Sequence, residues 1–170
     1  MIKPAGITID NADNIYLSSD HKLQKFTSSD KLIKCVGQRS SNEGEFRDPH
    51  GVTIHRNQVY VCERDNHRVQ VFDLDLKFIR SIGSHGKGRG EYNRPLGVAF
   101  DTTENMYVAE NANERVQMMN SSGHFIRVFG QDVSDLRSLC HFIWEVWSGE
   151  GRVVSSKMYH LLCRWVCTCV

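Results

Sequence analysis

The chain is 170 residues long, enough for one ordinary domain with a sizeable core. Its 21 Lys and Arg nearly balance 20 Asp and Glu, for a formal net charge of +1, so no global field draws it to nucleic acid or an anionic membrane. The opening MIKPAGITID lacks the apolar run of a signal peptide and no stretch is long enough to span a bilayer, so the expectation is a cytoplasmic protein with no membrane partner.

Pro4 opens the first of three similar units. Residues 4–48 carry four β-rich runs in order: GITID, NIYLS, KLQKFT and KLIKCVG. Residues 49–94 repeat them as GVTIH, QVYVC, RVQVFD and KFIRSIG, and residues 95–130 as GVAFD, NMYVA, RVQMMN and HFIRVFG. Pro4, Pro49 and Pro95 are spaced by 45 and 46 residues, and each is followed two residues on by Gly6, Gly51 or Gly97. The connections between units repeat as EGEFRDP and RGEYNRP. Val, Ile, Phe, Tyr and Thr enrichment with frequent period-2 alternation predicts strands, and the Asn, Asp, Ser and Gly clusters between them predict turns. A proline just before the first strand of each unit fits, because it has no ladder hydrogen bond to donate there.

Four strands per unit of this length predict a propeller blade. The fold class is therefore all-β: a partial, three-blade β-propeller of four-stranded antiparallel blades. Its blades are residues 4–48, 49–94 and 95–130. Residues 131–170 break the repeat. They hold all three tryptophans and four of the six cysteines. Leu136, Leu139, Cys140, Ile143, Trp144 and Trp147 have helical spacing, as do Met158, Leu161, Leu162, Trp165 and Val166. This tail reads as short amphipathic helices, as a disordered segment, or as non-coding or shifted-frame sequence from a broken gene model.

The run Asn66-His67-Arg68-Val69-Gln70, with Phe72 and the KFIRSIG strand after it, strongly resembles the NHL repeat. Residues 95–130 keep Arg115, Val116 and Gln117 but carry Asn113-Glu114 for Asn-His, and residues 4–48 carry Leu23 and Gln24 for Val-Gln. The resemblance implies a closed ring, typically of six blades, that binds protein or RNA through one face. It also implies a place in ubiquitin-ligase proteins, where such blades recruit substrates. Three blades leave two raw edges, which offer a route to self-association. A piece of a longer protein is the reading taken for this. The others are two chains completing one ring, or the tail covering an edge.

In a propeller, the loops between blades and the turns between second and third strands share one face. Its binding candidates are Arg64, His67, His85, Lys87, Arg89 and Arg94, whose cations suit a carboxylate-bearing protein partner or single-stranded RNA. Asn66, Arg68 and Arg115 recur with the repeat, which favours a structural turn role over a site. Phe46 and Tyr92 fall at equivalent positions and are expected between blades rather than stacked on bases. The glycines at 83, 86, 88 and 90 precede no helix, so they are not read as a phosphate loop.

No catalytic residue, metal site or cofactor is expected. His50, His55, His67 and His85 are scattered over different segments without ligand spacing. An alternative keeps the chain as a fragment of a metal-dependent enzyme resembling the lactonase or amidating-lyase propellers, with Glu63 and Glu110 as ring-centre carboxylates. For these two glutamates the plainer reading is a solvated or turn-bonded side chain. In the tail, His160, Cys163, Cys167 and Cys169 form no paired zinc motif.

Overall fold

A computed structural model of the chain describes residues 3–130. Among the described residues every regular element is a strand, and no helix is long and apolar enough to cross a membrane. The helical spacing and the cysteine–histidine set noted in residues 131–170 lie outside the described residues.

The first blade is β1 (Pro4–Ile9), β2 (Ile15–Ser19), β3 (Lys22–Phe26) and β4 (Leu32–Val36). The second is β5 (Pro49–His55), β6 (Gln58–Glu63), β7 (Arg68–Asp73) and β8 (Phe78–Ile82). The third is β9 (Pro95–Phe100), β10 (Met106–Glu110), β11 (Arg115–Met119) and β12 (Phe125–Phe129). Each blade is an antiparallel sheet whose strands pair in chain order. The prolines stand inside the first strands rather than before them. Pro4 faces Ser19, Pro49 faces Glu63 and Pro95 faces Glu110, and each is followed by a register shift. The bulge lets a residue without an N–H sit in the strand without breaking the ladder.

Short polar side chains close the turns. Asp10 accepts the amides of Ala12 and Asn14, and Asp101 repeats this with Thr103 and Asn105. Asp73 and Asn120 do the same between third and fourth strands. The turn joining β5 to β6 differs: Arg56 and Asn57 both take left-handed φ, of 47° and 58°, as a two-residue hairpin needs.

The core lies between blades. Tyr16 and Leu23 of the first blade meet Val59, Val61 and Phe72 of the second, with Phe46 from the connecting loop sealed among them. Cys62, Val69 and Val71 meet Met106, Val108 and Met119 in the same way, sealed by Tyr92. Phe46 and Tyr92 are both fully buried, so neither offers a ring to a ligand. Each such side chain contributes about 1.5–3 kcal/mol on burial, so the junctions hold the array together. Gly37 and Gly83, at positive φ after the fourth strands, leave room for these rings: a Cβ there would collide with Phe46 or Tyr92.

Candidate functional site

The turns between second and third strands lie at the same end of the blades as the inter-blade loops, and backbone bonds stitch them together. In the loop that joins the first two blades, the Asp48 amide donates to His21 Nδ1 of the first blade (3.1 Å), while the Asp48 carbonyl accepts from the Arg64 amide of the second (3.0 Å). One repeat later the Arg94 amide donates to His67 Nδ1 (3.1 Å) and its carbonyl accepts from the Asn111 amide (3.0 Å). Asp48 and Arg94 share a left-handed φ of 53° that allows both bonds.

Beneath this face lies a polar clamp that occurs twice. In the second blade Glu63, wholly buried, accepts from Asn66 Nδ2 (2.7 Å), Gln70 Nε2 (2.9 Å), the Arg47 amide (3.0 Å) and Arg68 Nε. Arg68 then reaches back to the carbonyls of Asn42 (2.7 Å) and Glu45 (3.2 Å) in the preceding loop. In the third blade Glu110 accepts from Arg115 Nε (2.7 Å), Gln117 Nε2 (2.9 Å) and Asn113 Nδ2 (2.5 Å). Arg115 donates to the carbonyls of Lys87 (2.6 Å), Gly88 (2.9 Å) and Glu91 (3.1 Å). Burial raises the Glu63 carboxyl above the ordinary range, against the pull of Arg68, the Arg47 amide and Asn66. Buried charges of this kind persist only when each is paired and hydrogen-bonded, and these are.

Asn66, Arg68 and Arg115 thus point into the clamp and hold loop backbone. Glu63 and Glu110 are buried in it too, so neither is a solvated carboxylate. The pattern Glu-x-x-Asn-x-Arg-x-Gln at 63–70 and 110–117 was the sequence signal for the four residues acting together. In the first blade the register-equivalent positions are Ser19, Lys22 and Gln24, and only the Ser19–Gln24 hydrogen bond (3.0 Å) remains.

The binding candidates divide. His67 and His85 are in ring contact, with centroids 4.1 Å apart, beside Arg94. Burial, reinforced by the nearby His85 and Arg94, lowers the His67 pKa and favours the neutral ring that accepts the Arg94 amide. Arg64 is engaged by Asp48 (2.7 Å) and Asp65 (3.0 Å), and that hydrogen bond holds the Asp65 carboxyl below its usual range. Arg89 leans outward over the Phe125 ring, 5.2 Å from its centroid. Lys87, Arg89 and Arg94 are exposed, and among the described residues no carboxylate is within ion-pair reach of them. His55 stacks on Phe100 at 4.1 Å, and His50 is buried beside Asp48. No group of three or more His, Cys, Asp or Glu among the described residues is arranged to hold a metal.

Residues 46–72 match the NHL repeat. A search of curated proteins finds no match. Several solved structures share the architecture. Virginiamycin B lyase from Staphylococcus aureus aligns over 74% of this chain and 40% of its own, at 12% identity and a TM-score of 0.54. A protein of unknown function from Bacteroides caccae aligns over 76% and 47%, at 12% identity and a TM-score of 0.57. U3-55K aligns over 78% and 41%, at 10% identity and a TM-score of 0.62. The chain spans less than half of each. At such identities the likeness establishes the fold, a partial β-propeller with an NHL repeat at its centre.

Proposed function

We propose that the chain is a non-catalytic binding module whose turn-side face takes an acidic segment of a protein partner on the loop 84–94. The observation that carries this is the set of exposed cations Lys87, Arg89 and Arg94, opposed within that loop by Glu91 alone. Glu91 is itself turned to the Gly88 amide (2.8 Å). The corresponding loop 38–48 sets Arg39 and Arg47 against Glu43, Glu45 and Asp48, so the charge belongs to one loop and not to the repeat. Proteins that grip single-stranded RNA pair such charge with exposed aromatic rings on which bases stack. Here Phe46 and Tyr92 are sealed between blades, which favours a carboxylate-bearing protein over RNA. Recruitment of a protein to a ubiquitin ligase, as the NHL resemblance implies, would be the use a longer protein makes of this face.

The enzyme-fragment alternative depends on Glu63 and Glu110. Both spend their lone pairs on Asn, Arg, Gln and backbone donors. Fluorescence anisotropy with a labelled Glu- and Asp-rich peptide, and separately with an oligouridylate, tests the proposal. Peptide binding that weakens with salt, and roughly tenfold in Lys87→Glu/Arg89→Glu, is expected. Equal binding by that variant sinks the assignment of the loop, and tighter binding of the oligouridylate transfers the face to RNA.

A further inference from the structure

The two junctions between blades share their backbone bonds but not their charge. At the first, His21 accepts the amide of Asp48, whose carboxylate engages Arg64 (2.7 Å) and His50 (3.2 Å). At the second, His67 accepts the amide of Arg94, so an arginine stands where the first junction has an aspartate. The isolated bridges Arg39–Phe46 and His85–Tyr92 put His85 at the place of Arg39. The His85 ring packs on that of His67, with centroids 4.1 Å and planes 38° apart. The second junction therefore gathers two imidazoles and Arg94. The nearby carboxylates are spoken for: Asp65, which faces His67, is engaged by Arg64 (3.0 Å), and Glu91 turns to the Gly88 amide (2.8 Å).

The two rings differ in what a proton would cost. His67 Nδ1 is the acceptor of the Arg94 amide, so the neutral ring carries its proton on Nε2 and a second proton breaks that bond. The His85 ring is exposed, and its nitrogens have no hydrogen-bond partner among the described residues. A positive charge added to the pair meets Arg94 at close quarters, and nothing at this junction plays the part of the Asp48 carboxylate. We propose that capture of an acidic segment by the loop 84–94 is coupled to uptake of a proton by the His67–His85 pair, so that the grip tightens as pH falls through the histidine range. This rests on the assignment of that loop as the binding site. A partner carboxylate seated on Arg94 supplies the negative charge that Asp48 supplies at the first junction, and it favours the protonated pair. His85 takes the proton, because its protonation leaves the bond between His67 and Arg94 intact. A complex that holds one proton more than its free components gains affinity by up to about tenfold for each pH unit of acidification. Above the histidine range Lys87, Arg89 and Arg94 hold the segment alone.

Isothermal titration calorimetry of the full chain with a Glu- and Asp-rich peptide tests this at about pH 7.5 and about pH 5.5. Two buffers of different ionisation enthalpy at each pH read the protons taken up as well as the affinity. The peptide carboxylates titrate near about pH 4, and what little they protonate weakens binding, so they cannot imitate the effect. Binding roughly tenfold tighter at the lower pH, with net proton uptake, is expected. His85→Gln is expected to flatten the dependence to within about twofold. His124→Gln, in the turn between β11 and β12 at the opposite end of the blades, keeps it. Circular dichroism checks that both variants fold. In the wild type, the His85 ring proton resonances should titrate at higher pH with peptide than without. Affinity that is level or falls on acidification, absence of proton uptake, or a dependence that survives in His85→Gln overturns the coupling and leaves the loop as the binding site. No peptide binding at either pH, or equal binding by Lys87→Glu/Arg89→Glu, overturns the loop assignment and the coupling with it.

Discussion

A Cβ on Gly51 would sit 2.5 Å from the carbonyl oxygen of Leu96, on the first strand of the next blade. Gly6 stands in the same relation to the His50 carbonyl, so the innermost strands touch backbone to backbone wherever two blades meet. Neither glycine has a positive φ, so the requirement is space and not conformation. Gly51→Ala must push β5 and β9 apart, and it is expected to cost about 1–3 kcal/mol or more, as overpacking does. The urea midpoint measures this. Gly123, whose added Cβ meets nothing within 4 Å, is the contrast: substitution by Asn, which tolerates its positive φ, should cost well under about 1 kcal/mol.

Removing one partner of the clamp should be costly, because its carboxylates are buried. Arg115→Met leaves the Glu110 carboxylate buried with its amide donors but without its countercharge. Breaking a buried pair in this way costs about 3–5 kcal/mol. The Arg68 side chain is 14% exposed against 7% for Arg115, so Arg68→Met should cost less. Both variants also free loop carbonyls, and amide exchange should quicken at residues 86–91 in Arg115→Met and at 42–45 in Arg68→Met. Equal costs for the two arginines, or unchanged loop exchange, would contradict this account of the clamp.

The repeat made the fold legible. Prolines, glycines and four β-rich runs recurring in step gave blade number, strand order and the buried place of Phe46 and Tyr92. The clamp was only half legible. Asn66, Arg68 and Arg115 stood out as repeat residues, but Glu63 and Glu110 looked like separate carboxylates, because sequence spacing does not show that the second strand ends directly opposite the start of the third. The engagement of Arg64 by Asp48 was hidden for the same reason: the two belong to a loop and a turn that meet only once the strands pair.

Stability should fall in mild acid because of His67. Burial, His85 and Arg94 hold its pKa below the ordinary value, so the unfolded chain takes up the proton first as pH drops. The contribution of the neutral ring is complete above about pH 6.5. It declines as pH falls through that value and levels once the folded ring itself is protonated. The urea midpoint of His67→Asn should be flatter than that of the wild type between about pH 5 and 7. His85→Asn removes a like charge and should narrow the window without abolishing it. Because the raised Glu63 carboxyl acts with the opposite sign, the difference between wild type and His67→Asn is what decides: a wild-type midpoint that gains on that variant as pH falls through this range would have the wrong sign.

Two cysteines report on the blades directly. Cys35 lies exposed on β4, whereas Cys62 is wholly buried at the junction of the second and third blades. Burial and the adjacent Glu63 push the Cys62 thiol far up, so the reactive thiolate is scarce even when reagent reaches it. Alkylation of the native chain, read by peptide mass mapping so that the four cysteines of residues 131–170 are counted apart, should modify Cys35 within the dead time of manual mixing. Cys62 should react only as the junction opens. Each loss of about 1.4 kcal/mol in junction stability should then speed Cys62 labelling about tenfold. Gly51→Ala and Arg115→Met, which act on the same junction, are expected to accelerate Cys62 and leave Cys35 unchanged. If Cys62 labels as fast as Cys35 in the wild type, the second and third blades do not form the sealed junction on which the clamp and the candidate binding loop depend.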